Sequence, residues 1–186
     1  MIAEDIALKL LSILNSHQIP YMLVGSLSTN FYSIVRATKD ADIVVQSSLS
    51  DVGRVLSNEY PDLKLNPQMG FESVTGSRKL ELRLEPNDFV VELFALTDDA
   101  HDQERFRRRL KVEWAGQHAW IATAEDAVIT KLRWSQFIGR EKDIADARNV
   151  IANQDELLDW PYIERWCDAH GSRPLLEKIR EELRRF

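Results

Sequence analysis

The chain has 186 residues, long enough for one domain with a sizeable core or a core plus a small appendage. Its hydrophobic fraction of 44% and charged fraction of 29% are those of an ordinary globular protein, and a formal net charge of −6 excludes a generic electrostatic DNA binder. A single cysteine, Cys167, excludes an internal disulfide and any cysteine-based zinc cluster, and fits a reducing cytoplasm.

The N-terminal segment carries acids early and no basic region, which predicts no signal peptide. Its apolar positions Ile6, Leu10, Ile13 and Leu14 recur at helical spacing, so residues 2–17 read as an amphipathic helix ended by the Ile19-Pro20 step. "YMLVG" reads as a short buried strand stopping at Gly25, and "SLSTNFYSIV" as a short helix capped by Ser26 or Ser28. "DADIVV" is the next strand. "SLSDVGRVLSNEY" is a surface helix with Leu49, Val52, Val55 and Leu56 on one face.

The period then changes. A short strand around Phe71–Val74 precedes "KLELRLEP", where Leu80, Leu82 and Leu84 alternate with charged residues as in a half-buried strand. Pro86-Asn87-Asp88 signals a turn, and "FVVELFAL" is the strand that follows. From about Asp98 the chain reads as helical, with a short strand at Ala119–Ala122. Thr123 and Asp126 stand at capping-box spacing to open a helix that closes near Gly139. "KDIADARNVIA" is a further helix with Ile144, Ala147 and Ile151 inward, and two more follow, separated by Gly171 and Pro174. No segment approaches the run of about 20 apolar residues that a membrane helix needs, so a soluble cytoplasmic protein with no membrane partner is expected.

Three acids carry the chemistry. Asp40 and Asp42 project from one face of their strand while Ala41 and Ile43 point the other way. Two unpaired carboxylates on one face repel, and a divalent cation removes that penalty; oxygen-only ligands favour Mg²⁺ or Mn²⁺. Glu92 is the one charge in an otherwise apolar strand, a position that demands a partner. If its strand lies beside "DADIVV", it completes a three-carboxylate cluster; Asp88, in the turn signal, is the fallback. Upstream, Gly25-Ser26 is a strand-to-helix turn where backbone can approach a phosphate closely.

This arrangement resembles the nucleotidyltransferase superfamily, the fold of DNA polymerase β and the aminoglycoside nucleotidyltransferases. The carrying residues are Gly25-Ser26, the intervening Leu27–Lys39, Asp40-Ala41-Asp42 and Glu92. Arg36-x-Thr38-x-Asp40-x-Asp42 is similar to the minimal nucleotidyltransferases of abortive-infection (AbiEii-type) toxin systems. Glu125, Lys131, Lys142-Asp143 and Asp146 resemble the helical portion of that group. The chain departs from the pattern in its third acid, Glu92 where Asp is more usual, and in the long spacing from Ser26 to Asp40.

The resemblance implies an α+β nucleotidyltransferase fold: a mixed β-sheet flanked by helices, a catalytic core over residues 1–97, and a helical portion over 98–186. It implies catalytic and metal-binding roles for Asp40, Asp42 and Glu92, with Mg²⁺ or Mn²⁺. Gly25, Ser26, Arg36, Thr38 and Lys131 would meet the NTP co-substrate. The acceptor hydroxyl would belong to RNA, protein or a small molecule, and the chain would be the toxin of a pair with a cognate antitoxin. The rival is a weakly active or inactive relative serving as antitoxin or regulatory partner. A glycosyltransferase with an Asp-x-Asp motif fits less well, because the chain is short and no nucleoside-binding sheet precedes the acids.

Other features read as structural. Arg105, Arg107, Arg108, Arg109 and Lys111 form a solvated helix face, or a hold on RNA phosphates if that face borders the cleft. Trp134, Trp160 and Trp166 belong to packing. His17, His101, His118 and His170 show no ligand spacing. Asp143 and Asp146 share a helix face and are expected to pair with Arg140 or Arg148.

Overall fold

The computed structural model describes residues 3–85, 88–139 and 141–184. Eight strands form one mixed sheet: β1 (Tyr21–Val24), β2 (Asp40–Val45), β3 (Leu63–Leu65), β4 (Gly70–Phe71), β5 (Arg78–Leu84), β6 (Phe89–Ala95), β7 (Leu110–Trp114) and β8 (Gln117–Ile121). Their order is β3-β5-β6-β2-β1-β8-β7, with β4 paired to β5 outside that path. Parallel pairing occurs at β2–β6 and β1–β8; the other pairs are antiparallel.

The chain divides into two compact units, one of residues 1–28 and 36–122, the other of residues 29–35 and 123–186. The whole sheet lies in the first, with α1 (Ala3–Ser16), α3 (Leu49–Glu59) and α4 (Ala100–Arg108); α2 (Gly25–Thr29) runs up to the division. The expected division at 97/98 is displaced to 122/123 because β7 and β8 join the sheet, β8 pairing with β1 at Leu23 and Ile121.

Alternation sorts the sheet into two faces. Leu80, Leu82, Leu84, Phe89, Val91, Leu93, Ala41, Ile43 and Val45 are buried on one. α1 and α3 bring Ile6, Leu10, Leu11, Leu14, Val52 and Leu56 to the same core. On the opposite face Met22, Val24, Val44 and Phe94 form a smaller apolar cluster with Ala122 and with Phe106 of α4.

The helix over 2–17 and the strands "YMLV" and "DADIVV" stand where periodicity puts them. Four readings change. The helix after Gly25 is only five residues long. β3 was not foreseen, and β4 is displaced to Gly70–Phe71. The predicted helix through "LKVEWAGQH" is a hairpin, whose two turn residues Ala115 and Gly116 both have positive φ (47° and 80°), as a type I′ turn requires. Pro86 and Asn87 of the expected turn lie outside the described residues.

The basic run therefore splits. Arg105 is buried and donates to Asp102 Oδ1 at 2.9 Å, Arg109 stacks over the rings of Phe106 (4.1 Å) and Trp120 (4.8 Å), and Lys111 lies on β7. It is not a single solvated helix face.

The second unit holds α5 (Ala124–Ile138), α6 (Glu141–Gln154), α7 (Trp160–His170) and α8 (Arg173–Leu183) around Val128, Ile129, Leu132, Ala147, Val150, Ile151, Ile163, Leu176 and Ile179. Thr123 caps α5 by accepting the Asp126 N–H at 3.1 Å, and Gly139 closes it in the left-handed conformation. Cys167 is buried in this core, and burial pushes its thiol up to about 11.

Lys131 of α5 donates to Asp143 Oδ1 at 2.7 Å and lies 2.9 Å from Asp146 Oδ2, both on α6. The partner of these two acids is thus Lys131. Arg148 pairs with Glu182 instead, and Arg140 lies outside the described residues. Burial alone would push the Lys131 ammonium down, but the two carboxylates outweigh it and hold it above its ordinary value of 10.5.

Replacing Lys131 by Met strands two buried carboxylates, one of which, Asp143, already has an oxygen without a hydrogen-bond partner. Urea unfolding is expected to show a loss of about 3–5 kcal/mol, against about 1 kcal/mol or less for Arg148→Ala at a partly exposed pair. Because the folded pKa of Lys131 is raised, its contribution is fully present below pH 10.5 and is lost as pH rises past it. Unfolding midpoints that stay level from neutral pH to pH 10 in the wild type would agree.

Candidate active site

β2 lies between β1 and β6, and its register with each fixes the site. Val24 is opposite Asp42 on one side; Glu92 is opposite Asp42 on the other. In a parallel pair, residues in register project from the same face, and neighbouring strands lie about 4.8 Å apart. The side chains of Asp40, Asp42 and Glu92 therefore share one face. All three are half-buried, while Ala41, Ile43, Val91 and Leu93 between them are buried on the other.

Asp88, the fallback third acid, is three-quarters exposed in the turn before β6, where it accepts from Arg83 at 3.1 Å. Glu92, not Asp88, stands in register with Asp42 and shares the face of the two aspartates.

Gly25 follows β1 with φ +61°, and a Cβ built there would overlap Asp42 Oδ2 and come within 2.9 Å of Asp42 Cγ. The glycine is required twice, once by its conformation and once because the carboxylate fills the space of a side chain. Ser26 is buried; its hydroxyl accepts from Arg36 Nη2 at 3.3 Å, which ties the segment before β2 back to the turn. Thr38 hydrogen-bonds Asp40 Oδ1 through its hydroxyl, which also lies 3.4 Å from the Asp40 N–H. Arg36 and Thr38 thus hold the approach to the two aspartates.

Lys131, expected from the resemblance to meet the NTP, has two carboxylate partners, Asp143 and Asp146, within the second unit.

Two residues escaped sequence reasoning. Lys79 Nζ lies 2.5 Å from Glu92 Oε1, and Glu81 stands in register with Glu92 on β5. Asp42, Glu92 and Glu81 make a row of acids across three strands, flanked by Lys79 and by Arg83, which donates to Glu81 at 2.8 Å. The alternation of "KLELRL" announced a charged face on β5; only the β5–β6 register aims it at Glu92.

The donors of Asp40, Asp42 and Glu92 are all carboxylate oxygens, and for Asp42 and Glu92, in register on strands about 5 Å apart, the repulsion is about 3 kcal/mol at an effective dielectric of about 20. That set fits a hard divalent cation such as Mg²⁺ or Mn²⁺.

The chain has the nucleotidyltransferase fold, a mixed β-sheet flanked by helices. It is similar to the antibiotic-resistance factor ANT(2'')-Ia in complex with adenylyl-2''-tobramycin, with TM-score 0.63 and 12% identity over 91% of this chain and 97% of that one. It is similar to the lincomycin-bound lincosamide antibiotic adenylyltransferase LnuA, with TM-score 0.55 and 16% identity over 80% of this chain and 96% of that one. A nucleotidyltransferase-like antigenic protein of Paracoccidioides brasiliensis gives TM-score 0.55 and 19% identity over 93% and 90%. No protein-family model matches the chain, and no curated protein matches it in sequence. Among the described residues no helix is long and apolar enough to cross a membrane.

Gly25→Ala tests the packing of the turn on the acid. In the wild type it is expected to cost about 2–4 kcal/mol, combining backbone strain with displacement of Asp42. In an Asp42→Ala background only the strain of about 1–2 kcal/mol remains. Equal costs in the two backgrounds, measured by chemical denaturation, would show that Gly25 and Asp42 are not coupled.

Proposed function

We propose that the chain is a metal-dependent nucleotidyltransferase that moves NMP from an NTP to an acceptor hydroxyl. One observation carries the reading: Asp42 stands in register with Glu92 on one sheet face, with Gly25 packed against its carboxylate.

Asp40 and Asp42 would hold Mg²⁺ or Mn²⁺, shared with Glu92, and the cation supplies neutralisation of the triphosphate during an in-line displacement. Gly25 and Ser26 leave backbone open to the phosphates, and Arg36 and Thr38 keep the two aspartates aligned. Glu92 accepts the proton of the acceptor hydroxyl as its oxygen bonds to the α-phosphorus. The bond from the α-phosphorus to its bridging oxygen breaks, and pyrophosphate leaves with that electron pair.

Two of the similar structures carry an antibiotic or its adenylylated form. A small-molecule hydroxyl is therefore a first acceptor to try, beside RNA and protein. The sequence resemblance adds a toxin role with a cognate antitoxin. A second reading, a weakly active chain that works by binding a partner, draws on the Lys79–Glu92 pair, which engages the third acid.

Incubation with each α-labelled NTP, Mg²⁺ or Mn²⁺, and aminoglycoside, lincosamide, RNA or protein acceptors separates these. Labelled product is expected from the wild type, and Asp42→Asn is expected to lower its rate at least about hundredfold. Absence of product with every nucleotide and acceptor class would favour the binding role, and full activity in Asp42→Asn would overturn the assignment of Asp42 to the metal site.

A further inference from the structure

The face that carries the acids is not compensated by chance. On β2, β5 and β6 it holds Asp40, Asp42, Glu92 and Glu81 against two cations, Lys79 and Arg83. Arg83 is committed to Glu81 and to Asp88. Lys79 is committed to Glu92, at 2.5 Å.

The Lys79 side chain keeps 30% of its surface exposed and Glu92 keeps 25%, so the pair is reached by water on one side. A lysine ammonium is a compact, strongly hydrated charge on a flexible stem, able to swing into solvent at little cost. Both residues stand on strands, but the stem of Glu92 has two methylenes against four in Lys79, and Glu92 is in register with Asp42. The two members of the pair therefore differ in mobility.

Resting on the nucleotidyltransferase reading above, we propose that Lys79 is a built-in counter-cation of this site. It occupies Glu92 when no divalent ion is bound, and it gives up that carboxylate when one binds. Lys79 is a positioning residue, since it acts through Glu92. It lowers repulsion between Glu92, Asp42 and Glu81 in the metal-free protein, and it sets a threshold of metal affinity in doing so. Arg83 does not take the same part, because it is held by Glu81 on β5 and by Asp88 in the turn that precedes β6.

The test is Mn²⁺ binding without nucleotide, followed by electron paramagnetic resonance of the unbound ion, on wild type, Lys79→Met and Arg83→Gln. Loss of a competing unit charge next to the ligand is expected to tighten Mn²⁺ binding about tenfold in Lys79→Met. Arg83→Gln removes the same charge without freeing Glu92 and is expected to change it by less than about threefold. Thermal melts supply a second readout: Lys79→Met melts lower than wild type in chelator and recovers more on adding Mn²⁺. Lys79→Arg, which keeps the charge, is expected to stay near wild type in both readouts.

Wild-type binding that is unchanged or weaker in Lys79→Met overturns this inference and leaves the enzyme reading standing. Equal tightening in Arg83→Gln also overturns it, since the effect is then the general field of the face. Failure of every variant and of the wild type to bind Mn²⁺ overturns both. Should Lys79→Met not fold, Lys79→Gln carries the same comparison.

Discussion

The parallel register of β2 on β6 is the constraint on which the rest depends. Side chains in a strand alternate with a period of two, so a slip of one residue would exchange the faces of a whole strand. The register that buries Val91 and Leu93 beneath α1 and α3 is the one that sets Glu92 opposite Asp42. Core and site are thus specified together. A sequence that lost the acids would still be held in this register by its apolar residues, whereas one that lost the apolar alternation would scatter the acids.

The boundary along that face is equally plain. Met22, Val24, Val44 and Phe94 with Phe106 fill it up to the level at which Asp42 and Glu92 begin. Charges at the rim of an apolar cluster interact more strongly than charges in water, because part of their surroundings has a low dielectric. The same circumstance raises the repulsion among the acids and the reward for any cation that relieves it. Gly25 belongs to this boundary. A side chain there would have supplied one more apolar atom, but only by moving the Asp42 carboxylate from its place.

Local patterns made much of this legible. "DADIVV" between a Gly-Ser turn and a helix gave the strand, its two acids and their common face, and the structure begins and ends β2 at those residues. The apolar run around Glu92 marked a strand carrying one charge, and the structure has that strand as Phe89–Ala95. What lay beyond reach was non-local. Lys79 meets Glu92 through the register of β5 on β6, and Lys131 meets Asp143 and Asp146 through the packing of two helices. The hairpin at Leu110–Ile121 was misread for a local reason. A cluster of arginines at its start resembles a helix face and outweighed the alternation of Leu110, Val112 and Trp114 and the Ala115-Gly116 turn. The strand beside β1 was legible at Ala119–Ala122; what the arginines concealed is β7, its antiparallel partner.

The molecule uses lysine against carboxylates in two ways, and burial separates them. Lys131 sits between Asp143 and Asp146 with about a tenth of its side chain exposed, so opening that cluster would leave charges in a place water does not reach. Such an arrangement costs several kcal/mol to break and therefore behaves as part of the core. Lys79 and Glu92 make the same bond at the edge of solvent. Pairs of that kind contribute about 0–1 kcal/mol, because water replaces the partner nearly as well as it was bound. An ion pair suited to exchange must be weak in this sense, yet its acid must be held in place by something other than the pair. Glu92 meets both conditions: its backbone is bonded into the centre of the sheet, and its carboxylate, paired with Lys79, is partly open to water.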